Sequence, residues 1–160
     1  MAKLFTSKFG FNILLLIMVF VIALMSPIIL KVGAAELETQ PLAINLDAVE
    51  WGPPAGGNGS PLGLMTSRQG IDPETGGITY YAMFPAGSHF DLHWHSYDEH
   101  VVVVKGQVTI VLGEEAHDLK TGSYVIIPGK LNHSWDVPAD GEVIILVRRV
   151  GPADFHFVED

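Results

Sequence analysis

The sequence predicts an all-β protein with the architecture of a barrel or a sandwich. Short β-prone runs recur along the second half of the chain, and Gly- or Pro-containing turn signals separate them. No long helical pattern follows residue 61. Strands this short and this closely spaced are typical of barrels and sandwiches. The predicted strands are 78–84, 90–95, 100–104, 107–112, 124–127, 133–137 and 143–150.

The first 35 residues have the layout of an export signal. Lys3 and Lys8 precede an uncharged apolar run over residues 11–30, and small residues follow up to Ala35. Cleavage before Glu36 would make the protein periplasmic or extracellular. The apolar run is longer than in most signal peptides, so an uncleaved anchor helix that holds the protein in a membrane is the alternative.

Charge and cysteine content exclude several functions. Removal of the leader takes away three lysines and leaves six basic residues against 18 acidic ones, a net charge near −12. A nucleic-acid partner is therefore not expected, because such partners require a basic surface. With no cysteine in the chain, there is neither a disulfide framework nor a cysteine-linked lipid.

Residues 36–60 precede the main strand pattern. Leu42, Ile44 and Leu46 alternate with other residues as in a short strand, and a Gly- and Pro-rich stretch follows over residues 51–61. We expect this stretch to be a loop, which could close over a cavity. The predicted organisation is a leader over 1–35, an N-terminal strand and loop over 36–60, and a barrel over 61–158.

Four of the seven histidines lie in the twelve residues from His89 to His100. On an extended strand, His93 and His95 project to one face about 7 Å apart. Glu99 follows a short turn, from which the next strand can return antiparallel and direct its carboxylate to the same place. A further ligand must come from elsewhere in the chain, and His133, after the Pro128–Gly129 turn, is the candidate.

The histidine-rich stretch resembles the first cupin motif, G-x5-H-x-H-x3-E-x6-G. The chain meets every fixed position of it, at Gly87, His93, His95, Glu99 and Gly106. The resemblance implies a single cupin barrel, a double-stranded β-helix of the jelly-roll type. The segment 151–158, together with the Trp51-Gly-Pro opening, is similar to single-domain cupins whose function is undetermined.

The second cupin motif, G-x5-P-x-G-x2-H-x3-N, is matched at Gly122, Pro128 and His133. Lys130 stands where the motif has glycine, and Val137 stands where it has asparagine. Neither position is a ligand in the family. The resemblance implies that one metal ion is held by four side chains, which are His93, His95, Glu99 and His133.

Three neutral imidazoles and one carboxylate form a mixed nitrogen and oxygen site. Such a site suits a divalent transition metal, which can be Mn, Fe, Ni, Cu or Zn, and it leaves coordination positions open for water or substrate. The ligand types alone do not choose among these metals.

Other polar and aromatic residues surround the motif. His89 has the parity of His93, so it either lines the cavity and supports a ligand or is an exposed residue at the start of a strand. Trp135 shares the face of His133 if the strand is regular, which places it near the site. His100 should face outward, and His117 is expected in a surface turn without a role.

Arg68, Arg148 and Arg149 are the arginines of the chain. One of them could pair with a substrate carboxylate, but surface salt links are the commoner role of arginine. The segment 151–158 is expected to be a terminal strand that packs on the barrel.

Two functional hypotheses remain. The first is a metalloenzyme that acts on a small oxygen-rich molecule with dioxygenase, isomerase or lyase chemistry. The second is a non-enzymatic module that binds or senses a metal or a small ligand. The cupin resemblance also implies a homodimer that forms through the outer strands.

Overall fold

The computed structural model of this protein describes residues 41–159, and this part of the chain is all-β. The fold class predicted from the sequence is confirmed. The predicted leader over residues 1–35 lies outside the described residues. Within 41–159, no helix is long and apolar enough to cross a membrane.

The described residues form eleven strands and one short 3₁₀ helix, Leu46–Ala48. The strands, in chain order, are β1 Ala55–Gly57, β2 Ser60–Ile71, β3 Ile78–Phe84, β4 His89–Trp94, β5 Glu99–Lys105, β6 Gln107–Leu112, β7 Glu115–Lys120, β8 Tyr124–Ile127, β9 His133–Asp136, β10 Val143–Arg149 and β11 His156–Phe157.

The strands form two antiparallel sheets, and an apolar core lies inside the fold. One sheet has six strands in the order β1-β2-β3-β10-β5-β8, and the other has five in the order β11-β4-β9-β6-β7. In strands such as β5 and β8, alternate residues point inward, as the period of a strand requires. The buried core consists of Ala82, Phe84, Phe90, Val101, Val103, Val108, Ile110, Val125, Ile127, Trp135, Val137, Val143, Ile145 and Val147.

The apolar strands were predictable, and the polar ones were not. Strands β3, β6 and β8 have the predicted bounds, and β4, β5, β9 and β10 differ from prediction by one residue at one or both ends. The surface turn predicted around His117 is wrong, because that residue lies in β7. Strand β7 is an edge strand with mostly exposed side chains, so its sequence shows no apolar alternation.

The N-terminal strand predicted from Leu42, Ile44 and Leu46 is also wrong. Residues 41–45 have no strand pairing, and the side chains of Leu42 and Ile44 are exposed. The Gly- and Pro-rich stretch is instead partly a hairpin, in which β1 and β2 are joined by Asn58 and Gly59 with φ of 50° and 91°. These left-handed residues suit a two-residue hairpin turn.

The turn between β8 and β9 forms hydrogen bonds with the loop that joins β4 to β5 and contains His95. Gly129 N donates to Asp98 Oδ1 at 2.8 Å, and Lys130 N donates to the His95 carbonyl at 2.7 Å. A Cβ at Gly129 would lie 2.8 Å from the Ser96 carbonyl oxygen, so glycine is needed there. Lys130, at the position where the cupin motif has glycine, has a left-handed φ of 67°.

We expect Lys130→Gly to stabilise the protein by up to about 1 kcal/mol in urea unfolding. Relief of the left-handed conformation gains about 1–2 kcal/mol, and the greater backbone entropy of glycine in the unfolded chain offsets about 0.5–1 kcal/mol of it. Lys130→Ala is the matched control, which keeps the Cβ and should bring no such gain. Equal stabilities of the glycine and alanine variants would contradict the interpretation.

Candidate metal centre

Three histidines meet inside the fold. His93 lies in β4 and His133 in β9, where the two residues are direct partners across the ladder, and His95 follows the end of β4. All three are buried, with at most 3% of each residue exposed. One ring nitrogen from each lies within 4.8 Å of the others. These three histidines could hold a metal ion.

Each of the three rings uses Nδ1 in a hydrogen bond to the backbone, which leaves Nε2 as the nitrogen that could bind a cation. His93 Nδ1 lies 2.6 Å from the Asp91 carbonyl, and His95 Nδ1 lies 2.6 Å from the Asp154 carbonyl. His133 Nδ1 lies 3.0 Å from the Leu131 carbonyl. A carbonyl only accepts, so each Nδ1 carries the proton and each Nε2 has a lone pair. This is the tautomer that metal-binding histidines adopt.

His133 provides the clearest sign that a group is expected at this point. Its Nε2 is buried and has no hydrogen-bond partner among the described residues. A buried polar atom without a partner is costly, and a bound ion would satisfy it. The residues therefore fit a metal with imidazole ligands.

His89 does not belong to the site, because the alternation of inward and outward side chains predicted for β4 is interrupted. The pairing of β4 with β9 shifts between Phe90 and His93, so both of these residues point inward and their rings stack at 4.3 Å. His89 consequently lies outside, about half exposed, with its Nδ1 2.6 Å from Asp136 Oδ1. The alternative in which His89 lines the cavity is wrong.

Glu99 reaches the histidines from the opposite sheet. β4 belongs to the five-stranded sheet and β5 to the six-stranded one, so the two strands do not form the hairpin that the sequence suggested. The turn over residues 96–98 crosses between the sheets. Glu99 is buried at the start of β5, with Oε2 3.2 Å from His95 Nε2. The group of three close ring nitrogens does not itself include the Glu99 carboxylate.

Arg149 is the arginine that lies at the site, which the sequence had left undecided among Arg68, Arg148 and Arg149. It lies opposite Glu99 in the β10–β5 ladder, its side chain is only 1% exposed, and its Nη2 lies 3.5 Å from Glu99 Oε1 and 3.2 Å from His95 Nε2. Arg149 shares the inward face of β10 with Val143, Ile145 and Val147, but alternation alone does not show which of the two faces is buried. Arg148 faces outward, as the surface interpretation predicted.

The environment shifts several pKa values away from neutrality. Burial, together with the neighbouring His133 and His95, lowers the pKa of His93 to about 3. Burial also lowers the pKa of His133. Burial would raise the pKa of Glu99, but its contact with the His95 ring and the charge of Arg149 outweigh the effect of burial, and the pKa falls. Burial and the Glu99 charge raise the pKa of Tyr80, whose hydroxyl lies 3.5 Å from Glu99 Oε1.

A cavity of about 50 Å³ adjoins these groups. Trp135, predicted to lie near the site, is in its wall. The polar end of the cavity is formed by Tyr80, His93, His95, Glu99 and Arg149, and the remainder is almost wholly apolar. The lining residues other than these five are Leu64, Thr66, Ala82, Phe84, Phe90, Trp135, Ile145 and Phe155.

The C-terminal segment completes the wall. Only His156 and Phe157 form a strand, which pairs with β4, so the predicted terminal strand over 151–158 is mostly irregular chain. The Asp154 carbonyl accepts from His95 Nδ1 at 2.6 Å and from Arg149 Nη1 at 3.3 Å. The Phe155 ring lies 4.8 Å from the Arg149 guanidinium carbon. This segment therefore orients two residues of the site.

The comparisons with known proteins agree with this architecture. Residues 80–148 match the family model described as the cupin domain. No curated protein sequence matches the chain. Three solved structures resemble the fold at low sequence identity, and their likeness supports the fold alone.

A cupin 2 conserved barrel domain protein from Rhodopseudomonas palustris has a TM-score of 0.62 and 16% identity, over 76% of this chain and 87% of that one. The cupin-2 domain protein Rru_A2000 from Rhodospirillum rubrum has a TM-score of 0.61 and 17% identity, over 76% of this chain and 84% of that one. The polyketide cyclase RemF from Streptomyces resistomycificus has a TM-score of 0.58 and 13% identity, over 76% of this chain and 87% of that one. The described chain thus has the cupin fold, and the domain match over residues 80–148 supports the cupin superfamily.

We expect the metal-free protein to lose stability as the pH falls from 7 to 5. The unfolded chain takes up a proton at His93 below about pH 6.5, whereas the folded protein does not until about pH 3. The stability is therefore complete above pH 6.5 and declines towards pH 3, by about 2 kcal/mol at pH 5 from His93 alone. Urea unfolding with a chelator present measures this decline.

His93→Gln is the matched variant for this experiment. It keeps a neutral polar side chain and removes the titrating ring, so its stability should fall less over the same pH interval. An equal fall in both proteins would show that His93 is not responsible.

Proposed function

We propose that this chain is an exported metal-binding cupin that holds one divalent transition metal and binds or acts on a small oxygen-rich molecule. The ligands in this proposal are His93, His95, Glu99 and His133. The observation that carries it is the convergence of three buried histidines, with one ring nitrogen of each within 4.8 Å of the others and each Nδ1 hydrogen-bonded to the backbone. The metal is Mn, Fe, Ni, Cu or Zn, since imidazole and carboxylate ligands suit all five.

A bound divalent ion would supply Lewis-acid polarisation of a substrate oxygen, which is the basis of metal-dependent oxidoreductase, isomerase and lyase reactions. The protein's own contribution is a water-poor, mainly apolar wall and a cationic group at one end. The aromatic residues Phe84, Phe90 and Trp135 exclude water from the cavity. Tyr80 and Arg149 orient a polar ligand beside the histidines.

A non-enzymatic function in metal or small-ligand binding is favoured by one observation. The shifted titrating groups of the cavity have pKa values displaced from neutrality, downward for His93 and Glu99 and upward for Tyr80. A general acid or base works best with a pKa near the operating pH. In the metal-free protein these three groups are therefore poorly suited to proton transfer at neutral pH, which favours a binding or sensing function.

Export and homodimer formation complete the proposal. Export rests on the N-terminal sequence pattern, with anchoring by an uncleaved helix as the alternative. The homodimer is supported by the outer face of the six-stranded sheet, where Tyr124 and Ile126 are exposed and Leu146 is partly exposed. An apolar face of this kind suits contact between protomers.

The metal proposal is tested by elemental analysis of the protein expressed with its N-terminal segment and purified without chelator. We expect about one divalent transition metal per chain, and loss of that metal in His95→Ala and in His133→Ala. His100→Ala is the matched control, since His100 faces away from the cavity and contacts Tyr124. No stoichiometric metal, or an unchanged content in His95→Ala, would remove the ligand assignment.

The zinc affinity of Glu99→Gln tests whether the Glu99 carboxylate binds the metal or has only an ionic role. If the carboxylate binds the metal, affinity for zinc should fall at least about tenfold, because an amide is a much weaker ligand. An unchanged affinity would restrict the ligand set to the three histidines.

The dimer is tested by sedimentation velocity of the purified protein. We expect a dimer for the natural sequence and a monomer for Ile126→Glu, because a charge on the outer apolar face would be buried without a partner. Leu62→Glu is the control, because Leu62 is 78% exposed and lies in β2. A monomeric natural protein would contradict this part of the proposal.

A further inference from the structure

The Arg149 guanidinium is a buried cation that lacks strong partners. Its four polar contacts are with Tyr80 Oη, His95 Nε2, Glu99 Oε1 and the Asp154 carbonyl, at 3.4, 3.2, 3.5 and 3.3 Å. Charge-assisted hydrogen bonds are typically about 2.7–2.9 Å. Its Nε has no partner among the described residues. A guanidinium with five donors is thus left well short of its hydrogen-bonding capacity.

The net charge of the site also indicates that Arg149 lacks a partner. Imidazoles that bind a metal are neutral, so the protein groups of a loaded site would be three neutral rings, one carboxylate and one guanidinium, whose charges cancel. A divalent ion would leave a net charge of +2 inside the fold. Buried charge without a counter-ion is strongly unfavourable. The loaded site therefore requires an anion, and Arg149 is the cation that can receive it.

The cavity limits the size and shape of that anion. Its volume of about 50 Å³ corresponds to about three to five waters by this measure. One end carries Arg149 and Tyr80, whereas the far wall is formed by apolar side chains such as Phe84 and Trp135. A ligand with a charged head and a short apolar tail matches this arrangement.

We propose that Arg149, assisted by Tyr80, anchors the carboxylate of a short-chain monocarboxylate inside the cavity. The guanidinium fork receives the two carboxylate oxygens, and the alkyl end lies against the aromatic wall. This inference rests on the proposed metal-binding function, because the bound ion creates the charge that the anion balances. It adds the ligand class that the ligand set alone leaves open.

The experiment is a calorimetric titration of zinc-loaded protein with sodium acetate in a buffer without carboxylates. The zinc content of each sample is measured first. Acetamide has the same shape without the charge and serves as the ligand control. The protein variants are Arg149→Met and Tyr80→Phe, and Arg148→Met is the matched control, because the neighbouring Arg148 side chain is 66% exposed on the opposite face of β10.

We expect acetate to bind the natural protein and Arg148→Met equally, at one per chain, and acetamide to bind neither. Arg149→Met should bind acetate at least about tenfold more weakly, and Tyr80→Phe about threefold more weakly, because it loses one hydrogen bond. If Arg149→Met does not fold, Arg149→Lys replaces it. That variant keeps the charge without the fork and should bind with intermediate affinity.

The outcomes distinguish this inference from the function on which it rests. Absence of stoichiometric zinc in the natural protein would overturn the metal-binding function and this inference with it. Zinc binding without acetate binding would overturn the anion site alone. Equal acetate affinity in the natural protein and Arg149→Met, or equal binding of acetamide, would also overturn it.

Discussion

The site depends on one repeated interaction, the hydrogen bond from a histidine Nδ1 to a backbone carbonyl. Three such bonds hold the rings of His93, His95 and His133 with Nδ1 turned to the backbone, so that Nε2 is the nitrogen left for a cation. The accepting carbonyls belong to Asp91, Asp154 and Leu131. Because these carbonyls lie in different parts of the chain, the ring orientations are fixed by the fold as a whole and not by any single turn.

The two sheets contribute different chemistry to the cavity. The five-stranded sheet provides His93 and His133, and the six-stranded sheet provides Tyr80, Arg149 and Glu99 from the adjacent strands β3, β10 and β5. Neutral ring nitrogens on one side therefore face an ionic group on the other. The distance between them is set by the packing of the core, so substitutions that alter core volume should affect the site without touching it.

The C-terminal segment belongs functionally to the centre of the barrel. Asp154 receives hydrogen bonds from His95 and Arg149 through its carbonyl, and its Oδ1 accepts from Ser96 N at 3.0 Å. The ring of His156 stacks on Trp94 with 3.9 Å between centroids, which holds the segment against β4. The residues after β10 thus fix the imidazole of one candidate ligand and the guanidinium that faces it.

The sequence by itself determined the all-β class, the apolar strands and the candidate ligands His93, His95, Glu99 and His133. The class and the strands follow from local periodicity, which is a property of neighbouring residues, and the ligand set follows from the resemblance to the two cupin motifs. Trp135 could also be predicted near the site, because strand β9 is regular between it and His133. Polar edge strands such as β7 escaped prediction, since their exposed side chains show no apolar pattern.

The tertiary structure decided what depends on residues far apart in the chain. The shift in pairing between β4 and β9 turned His89 outward. The alternation of residues along one strand cannot predict such a bulge. The crossing between sheets placed Glu99 opposite the histidines. Burial of Arg149 results from the ladder that sets it beside Glu99, because a strand's sequence gives its alternation but not which face is covered.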